Sequence, residues 1–212
     1  ELPYLVASTS AADYNGDGVV DVLIVKNLDQ PILYRNDGGN ANDYLRLDLE
    51  GTASNRDGIG AFITVTPDLA APNEQIVWET DGGSSFLSQN ERTAHLGLGA
   101  NSGTVDLVRI EWPSGITQLL FDVAPNQTLA VVETDQAAQA DFNGDGTVNL
   151  ADYTSWRDQL GSSNDYLLWQ ANFGRTVVGS ASLAVPEPGA LGLVLLWIVL
   201  ATFARDVRPS RK

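Results

Sequence analysis

The chain has 212 residues, no Cys, no Met and one His, and its 27 acidic residues against 12 basic ones give a formal net charge of −15. Without cysteine there can be no disulfide scaffold, zinc–thiolate site or thiol catalysis. The acidic surface disfavours nucleic acid as a partner and suits hard divalent cations, calcium first.

A charged fraction of 18% together with 20 Gly predicts a turn-rich, mainly β protein, and an apolar fraction of 43% permits a real core. The chain opens on Glu1-Leu2-Pro3, with no initiator Met and no basic-then-apolar leader. That start reads as part of a longer or processed chain, with any secretion signal upstream.

The first motif is Asp13-Tyr14-Asn15-Gly16-Asp17-Gly18-Val19-Val20-Asp21. Asp13, Asn15, Asp17 and Asp21 offer side-chain oxygens at loop positions 1, 3, 5 and 9, Gly18 stands at the sharp turn, and Val19 supplies a main-chain carbonyl. This is calcium-loop spacing, although Asp-Gly beside β-branched residues also suits an ordinary hairpin turn. Position 12 is Ile24, which cannot coordinate, and Val20 to Val25 reads as a strand, so the loop is not an EF-hand. The loop, that strand and Ile32 to Gly38 resemble an FG-GAP or VCBS repeat. The resemblance implies one blade unit of a β-propeller over residues 1–42, with calcium held between strands and the remaining blades N-terminal to Glu1.

Between Asp43 and Glu133 the pattern is mostly of period two. Leu45, Leu47 and Leu49 alternate with Arg46, Asp48 and Glu50; Ala61, Ile63 and Val65 alternate with Phe62 and Thr64; Val108, Ile110 and Trp112 alternate with Arg109 and Glu111. Such strands put one face on a core and the other in water. Trp112-Pro113-Ser114-Gly115 predicts a hairpin of Val105 to Trp112 with Ile116 to Phe121. With Gln75 to Glu79, His95 to Leu98 and Thr128 to Glu133 added, about seven strands predict a β-sandwich or barrel. Ser54-Asn55-Arg56-Asp57-Gly58-Ile59-Gly60-Ala61, His95-Leu96-Gly97-Leu98-Gly99, Glu111-Trp112-Pro113-Ser114-Gly115 and Asn126-Gln127, in that order, resemble the ASPIC/UnbV domain. The resemblance covers residues 43–135. It implies an exported protein in which this domain follows FG-GAP or VCBS repeats, and says little about activity.

A second Asp-rich loop, Asp141-Phe142-Asn143-Gly144-Asp145-Gly146-Thr147-Val148-Asn149, continues to Asp152 at position 12. It leads into a helical pattern in which Tyr153, Trp156 and Leu160 share a face and Gly161 is a plausible C-cap. The pattern recurs 13 residues on, with Asp165-Tyr166, Trp169, Phe173 and Gly174. Loop, helix and duplication over residues 140–175 resemble a type I dockerin. The resemblance implies calcium on Asp141, Asn143, Asp145, Thr147 (main chain), Asn149 and Asp152, and a cohesin-like partner. Only the first helix is preceded by such a loop, since Ser162-Ser163-Asn164-Asp165 stands before the second, so the module is degenerate.

Residues 176–184 read as a linker. From Pro188 to Ala204 there are 17 residues without a charge, followed by Arg205, Arg208, Arg211 and Lys212. This predicts a transmembrane helix with the extreme C-terminus in the cytoplasm. Pro186-Glu187-Pro188, the apolar helix and the basic end, over residues 185–212, resemble the PEP-CTERM sorting signal. That resemblance implies recognition and cleavage by an exosortase-type protease, with only transient anchoring in the inner membrane.

Catalytic signatures are weak. His95 could be a base but suits a packed strand histidine. Ser84 and Ser85 after Gly82-Gly83 form no nucleophile elbow. Asn55-Arg56-Asp57 suits a ligand loop or a hydrogen-bonded turn. Trp78, Trp112, Trp156 and Trp169 could stack on sugars, with core packing the better reading. The reading is therefore a non-enzymatic, calcium-binding protein of the cell surface or extracellular matrix, in contact with cells or polysaccharide. The alternative is the C-terminal part of a carbohydrate-active enzyme docked by its dockerin-like module. A third option makes that module a calcium-stiffened spacer.

Overall fold

The computed structural model describes residues 6–38, 42–83, 86–100 and 103–177. The sorting signal at Pro186, Glu187 and Pro188, the C-terminal helix, most of the linker, and Ser84 and Ser85 lie outside the described residues. Among the described residues no helix is long and apolar enough to cross a membrane.

The described residues are mainly β, with ten strands in three sheets and three short helices. The first sheet is an antiparallel meander of β1 (Val6–Ala12), β2 (Asp21–Lys26) and β3 (Ile32–Tyr34). The Asp13 loop connects β1 to β2. Val22, Leu23, Val25, Leu33 and Tyr34 of this sheet remain exposed, so the meander does not cover its own apolar surface.

The remaining strands are β4 (Asn42–Glu50), β5 (Phe62–Thr66), β6 (Ile76–Glu79), β7 (Ala94–Ala100), β8 (Val105–Glu111), β9 (Thr117–Val123) and β10 (Gln127–Val132). They form two open sheets, in the orders β10-β4-β7 and β6-β5-β8-β9. One buried cluster joins them: Leu45, Leu47, Leu96 and Val131 from the first, and Ile63, Val65, Val105, Val108 and Ile110 from the second. The expected alternation is realised, with Ile63 and Val65 buried while Phe62 on the same strand is exposed. Of the two architectures left open, sandwich or barrel, the two separate sheets with a shared core match the first, and no barrel closes among the described residues. The hairpin at Trp112-Pro113-Ser114-Gly115 forms as read, with Glu111 opposite Thr117 and Gly115 at a φ of +87°.

Two features depart from the pattern. The first is that β10 pairs with β4 in parallel, Gln127 opposite Leu45, which no local signal encodes. The second concerns β4, whose polar face was expected to meet water. Asp48 and Glu50 do, but the Arg46 side chain is only 13% exposed because it is drawn into an ion-pair network.

The helices follow: α1 (Ala137–Ala140), α2 (Leu150–Asp158) and α3 (Ser163–Asn172). Each of the last two starts with a capping box, Asn149 with Asp152 and Ser162 with Asp165, so the 13-residue repeat is visible as repeated cap chemistry. Between the helices, Tyr153, Trp156, Tyr166, Trp169 and Phe173 pack ring against ring at 5.2–6.3 Å. Leu160, expected on that face, is not there. Helix α2 stops at Asp158, and Leu160 takes the left-handed conformation at φ +55°, 91% exposed. Its N–H donates to Arg157 O, and that of Gly161 to Trp156 O, which together satisfy the helix end as a Schellman motif. Gly161 is needed for closeness instead, since a Cβ there would sit 2.1 Å from the Trp156 ring.

Strands and helices from β1 to α3 belong to one compact unit. The helical pair is tied to the β region by Gln136, whose amide both donates to and accepts from the main chain of Leu119. Arg175 adds bonds to Gly115 O and Asp135.

Candidate functional site

The two Asp-rich loops fold alike, bond for bond. In the first, Asp13 Oδ1 accepts from the N–H groups of Gly16 (2.8 Å) and Asp17 (3.1 Å), and Oδ2 from that of Gly18 (2.9 Å). In the second, Asp141 Oδ1 accepts from Gly144 (2.8 Å) and Asp145 (3.1 Å), and Oδ2 from Gly146 (2.8 Å). Asn15 and Asn143 accept from the N–H of Asp17 and Asp145, which in turn accept from Val19 and Thr147. The glycines at both turns carry positive φ, +75° and +87° in the first loop and +74° and +86° in the second. Glycine reaches that region without steric cost.

In each loop these bonds favour the charged form of the acid at position 5. The pKa of Asp17 is lowered by the Asn15 side-chain hydrogen bond and then by the Val19 N–H. That of Asp145 is lowered by Asn143 and then by the Thr147 N–H. Both side chains face solvent.

The loops close differently. Asp21 is buried, with Oδ1 accepting from Asn36 N–H at 2.7 Å and Oδ2 from Tyr14 N–H at 3.2 Å, so it ties loop, β2 and the segment after β3 together. In the second loop Asp152, fully buried at the start of α2, accepts from Asn143 (3.1 Å) and Asn149 (2.7 Å). Asn149 donates to Thr147 O, and Val148 pairs with the chain after α3 through Arg175 and Gly174.

The residues fit a hard divalent cation by donor type. Each loop offers carboxylates, an Asn oxygen and a main-chain carbonyl, and no nitrogen or sulfur ligand. Among the described residues no point collects three or more His, Cys, Asp or Glu side chains. The remaining oxygens of that donor type in the loops belong to Asn15 and Val19 in one and to Asn143, Asn149 and Thr147 in the other.

Three residues beside the first loop, Arg46, Glu91 and Tyr44, carry no sign in the sequence of their place there. Arg46 Nη1 donates to Asp13 Oδ2 and Nη2 to Glu91 Oε2, both at 2.9 Å. Tyr44 lies over Gly18, where a Cβ would be 2.1 Å from its ring, and stacks on His95 with centroids 5.7 Å apart. His95 is thus a packed strand histidine, with Nδ1 3.7 Å from Glu91 Oε1. A cleft of about 360 Å³ opens here between Asp17, Gly18 and Val19 on one side and Asp43, Tyr44, His95 and Gly97 on the other.

Elsewhere, both polar atoms of the Asn55 amide bond Ile59, which makes Asn55-Arg56-Asp57 a structured turn. Trp112 is core, its indole N–H donating to Gln118.

Residues 51–138 match the family model described as ASPIC and UnbV. Cartilage acidic protein 1 of Mus musculus is 29% identical over 106 residues, which is 49% of this chain and 16% of the relative. The Homo sapiens protein of that name is 29% identical over 124 residues, 57% and 18% of the two chains. That of Xenopus tropicalis is 27% identical over 109 residues, 50% and 16%. The chain spans less than a fifth of the length of these curated relatives. The match begins one residue after β4 ends and runs from the Gly51 turn through β10 into α1. This chain therefore contains an ASPIC/UnbV domain.

Proposed function

We propose that the chain belongs to an exported, non-enzymatic protein of the cell surface or extracellular matrix, in which calcium fixes two Asp-rich loops against an ASPIC/UnbV domain. The observation that carries this reading is the bond-for-bond likeness of the Asp13 and Asp141 loops. Two segments of unlike setting, one before a strand and one before a helix, converge on the same arrangement of acidic oxygens. A net charge of −15 adds to the attraction for a divalent cation. The role of the ion is structural: it offsets the negative charge of the loop and holds its shape. Similarity to cartilage acidic protein 1, whose name places it in an extracellular tissue, supports export.

Residues 1–42 are read as the last blade unit of a propeller, supported by the exposed apolar surface of β2 and β3 that a neighbouring blade would cover. Residues 185–212 are read as a PEP-CTERM tail processed by an exosortase-type protease. Adhesion to cells or contact with extracellular polysaccharide is the surface role this architecture suits. Of the readings of the helical pair, a calcium-stiffened spacer is favoured over a cohesin-docking module. Gln136 and Arg175 fasten it to the β region, and it carries one calcium loop where two-loop docking modules have two.

Titration calorimetry with calcium on the full chain in mild detergent tests the metal. Two sites are expected, falling to one in Asp13→Ala and to one in Asp141→Ala, with dissociation constants of about 10⁻⁴ to 10⁻³ M as in other extracellular modules. Absence of heat in the unaltered chain would remove the reading.

A further inference from the structure

The chain holds two Asn-Gly and five Asp-Gly steps. Such steps are chemically labile. The glycine nitrogen attacks the carbonyl carbon of the preceding side chain and closes a five-membered imide, with loss of ammonia from Asn or water from Asp. Water then opens the imide at either carbonyl, which gives Asp or isoaspartate, the isomer whose main chain runs through the side-chain methylene. Glycine permits the attack because no Cβ obstructs it.

The fold sorts these steps by what holds the nitrogen. In the first loop the N–H of Gly16 donates to Asp13 Oδ1 at 2.8 Å and that of Gly18 to Asp13 Oδ2 at 2.9 Å. In the second, Gly144 and Gly146 donate to Asp141, each at 2.8 Å. The Gly58 N–H donates to Asn55 O at 3.0 Å. A donating N–H fixes its peptide plane, and the nitrogen cannot turn onto the neighbouring carbonyl until that bond opens. Of the Asp residues outside the loops, Asp57 is paired with Arg92 and Asp37 with Arg35, so either carboxylate must leave a guanidinium to react.

Asp81-Gly82 has neither restraint. Both residues are exposed, and among the described residues the Gly82 N–H has no hydrogen-bond partner and Asp81 no ion pair. Asp81 Oδ1 accepts instead from the Gly83 N–H at 3.2 Å, which folds the side chain back along the Gly82 peptide. The step follows directly on the anchored end of β6, where the Thr80 N–H donates to Ala61 O and Thr80 O accepts from Gly60. It opens the connection that goes on to lie along β1 through Ser88, Asn90 and Glu91.

We infer that Asp81-Gly82 is a modification site, at which the folded chain isomerises to isoaspartate with age, and that Asp13 and Asp141 shield the more reactive Asn-Gly steps of the two loops from deamidation. The inference goes beyond the proposed function and needs no metal. At Asp81 a bond forms between Gly82 N and Asp81 Cγ, and the amide proton and the side-chain hydroxyl leave together as water. Hydrolysis at the main-chain carbonyl then breaks its bond to Gly82 N. The water lost is regained, so the change is an isomerisation without a co-reactant. It adds one atom to the main chain beside β6.

Peptide mapping of the full chain, incubated for weeks at neutral pH in mild detergent and chelator, tests this. Isoaspartate, read by enzymatic methyl transfer and by fragmentation of each peptide, is expected first at Asp81, and at least about tenfold more slowly at Asp17, Asp37, Asp57 and Asp145. Asp81→Asn sets a third Asn-Gly step in the same molecule, so that intrinsic reactivity cancels. Deamidation there should be at least about tenfold faster than at Asn15 and Asn143 in the folded chain, and denaturant should erase the difference. Gly82→Ala should suppress isoaspartate at Asp81. Its Cβ would meet Ile59 Cδ1 at 3.4 Å, an ordinary contact, so the fold accommodates it.

Equal rates at the three Asn-Gly steps of folded Asp81→Asn would overturn the inference. Isoaspartate spread evenly over the five Asp-Gly steps of the unaltered chain would do the same without any variant. A ranking that survives in denaturant would also overturn it, because sequence alone would then set the rates. None of these results bears on calcium, since the chelator is present throughout.

Discussion

Ser54 occupies both oxygens of Glu133: its N–H donates to Oε2 at 2.7 Å and its hydroxyl to Oε1 at 2.8 Å. Thr52 and Ala53 add two more N–H donors to Oε2, and the Ser114 hydroxyl donates to Oε1. A single carboxylate at the end of β10 thereby gathers the turn after β4 and the β8–β9 turn.

Burial opposes the charge on Glu133, but bonds from Ser114, Ser54 and Thr52 outweigh it and hold the pKa at about 2. A carboxyl depressed in the folded state stabilises the fold fully above its unfolded value near 4.5, and that contribution is lost as pH falls toward 2. Glu133→Gln, which puts donors where acceptors are needed, should cost about 2–3 kcal/mol at neutral pH. It should also flatten the stability profile between pH 5 and 2, on the order of the window that linkage gives. Denaturant unfolding across that range checks both, and an unchanged slope in the variant would show that other carboxylates carry the acid sensitivity.

Gly16 and Gly18 both adopt positive φ, but only Gly18 has a neighbour in the way. Gly16→Ala should cost about 1 kcal/mol from backbone strain alone. Gly18→Ala must also displace the Tyr44 ring from His95, and should cost about 2–4 kcal/mol. Equal midpoints for the two variants in urea would mean that Tyr44 yields freely.

Leu160→Gly should stabilise the chain by about 0.5–1 kcal/mol. The leucine is almost fully exposed and contributes little packing, whereas its left-handed backbone carries a penalty that glycine lacks. Thermal unfolding reads the gain directly, and a loss would reveal a contact made by Leu160 outside the described residues.

Chelation should lower the melting temperature in proportion to the sites emptied. At tenfold excess over the dissociation constant each site contributes about 1.4 kcal/mol. Asp145→Ala should remove the share of the second loop and leave that of the first. Scanning calorimetry with and without chelator measures it, and an equal response in variant and parent would place no cation at Asp145.

What the sequence makes legible is local. Alternation in β5 and β8, the Pro-Ser-Gly turn and the pair of helices 13 residues apart are all set by neighbours within a few positions, and all appear. Arg46 is not of that kind. Its period places it on a wet face, and only the chain folding back brings Asp13 and Glu91, 33 and 45 residues away, to meet it. Strand β1 is similarly silent, since Val6 to Ala12 is a run of small and hydroxyl residues without alternation, fixed by pairing with β2. The Asp loops were legible as motifs because spacing alone defines them, whereas the partners that distinguish one from the other were not.

The parallel pairing of β10 with β4 sets an order of events. Asn126 donates to Asp43 across 83 residues of chain, and the strand that follows it fills the open side of β4. Until Gln127 to Val132 has emerged from the ribosome, one edge of β4 is left unpaired. Such an edge invites pairing with another nascent copy. The domain thus cannot be completed from its N-terminus onward. Closure has to wait for the last strand, and the interval before it is when a holding chaperone would matter most.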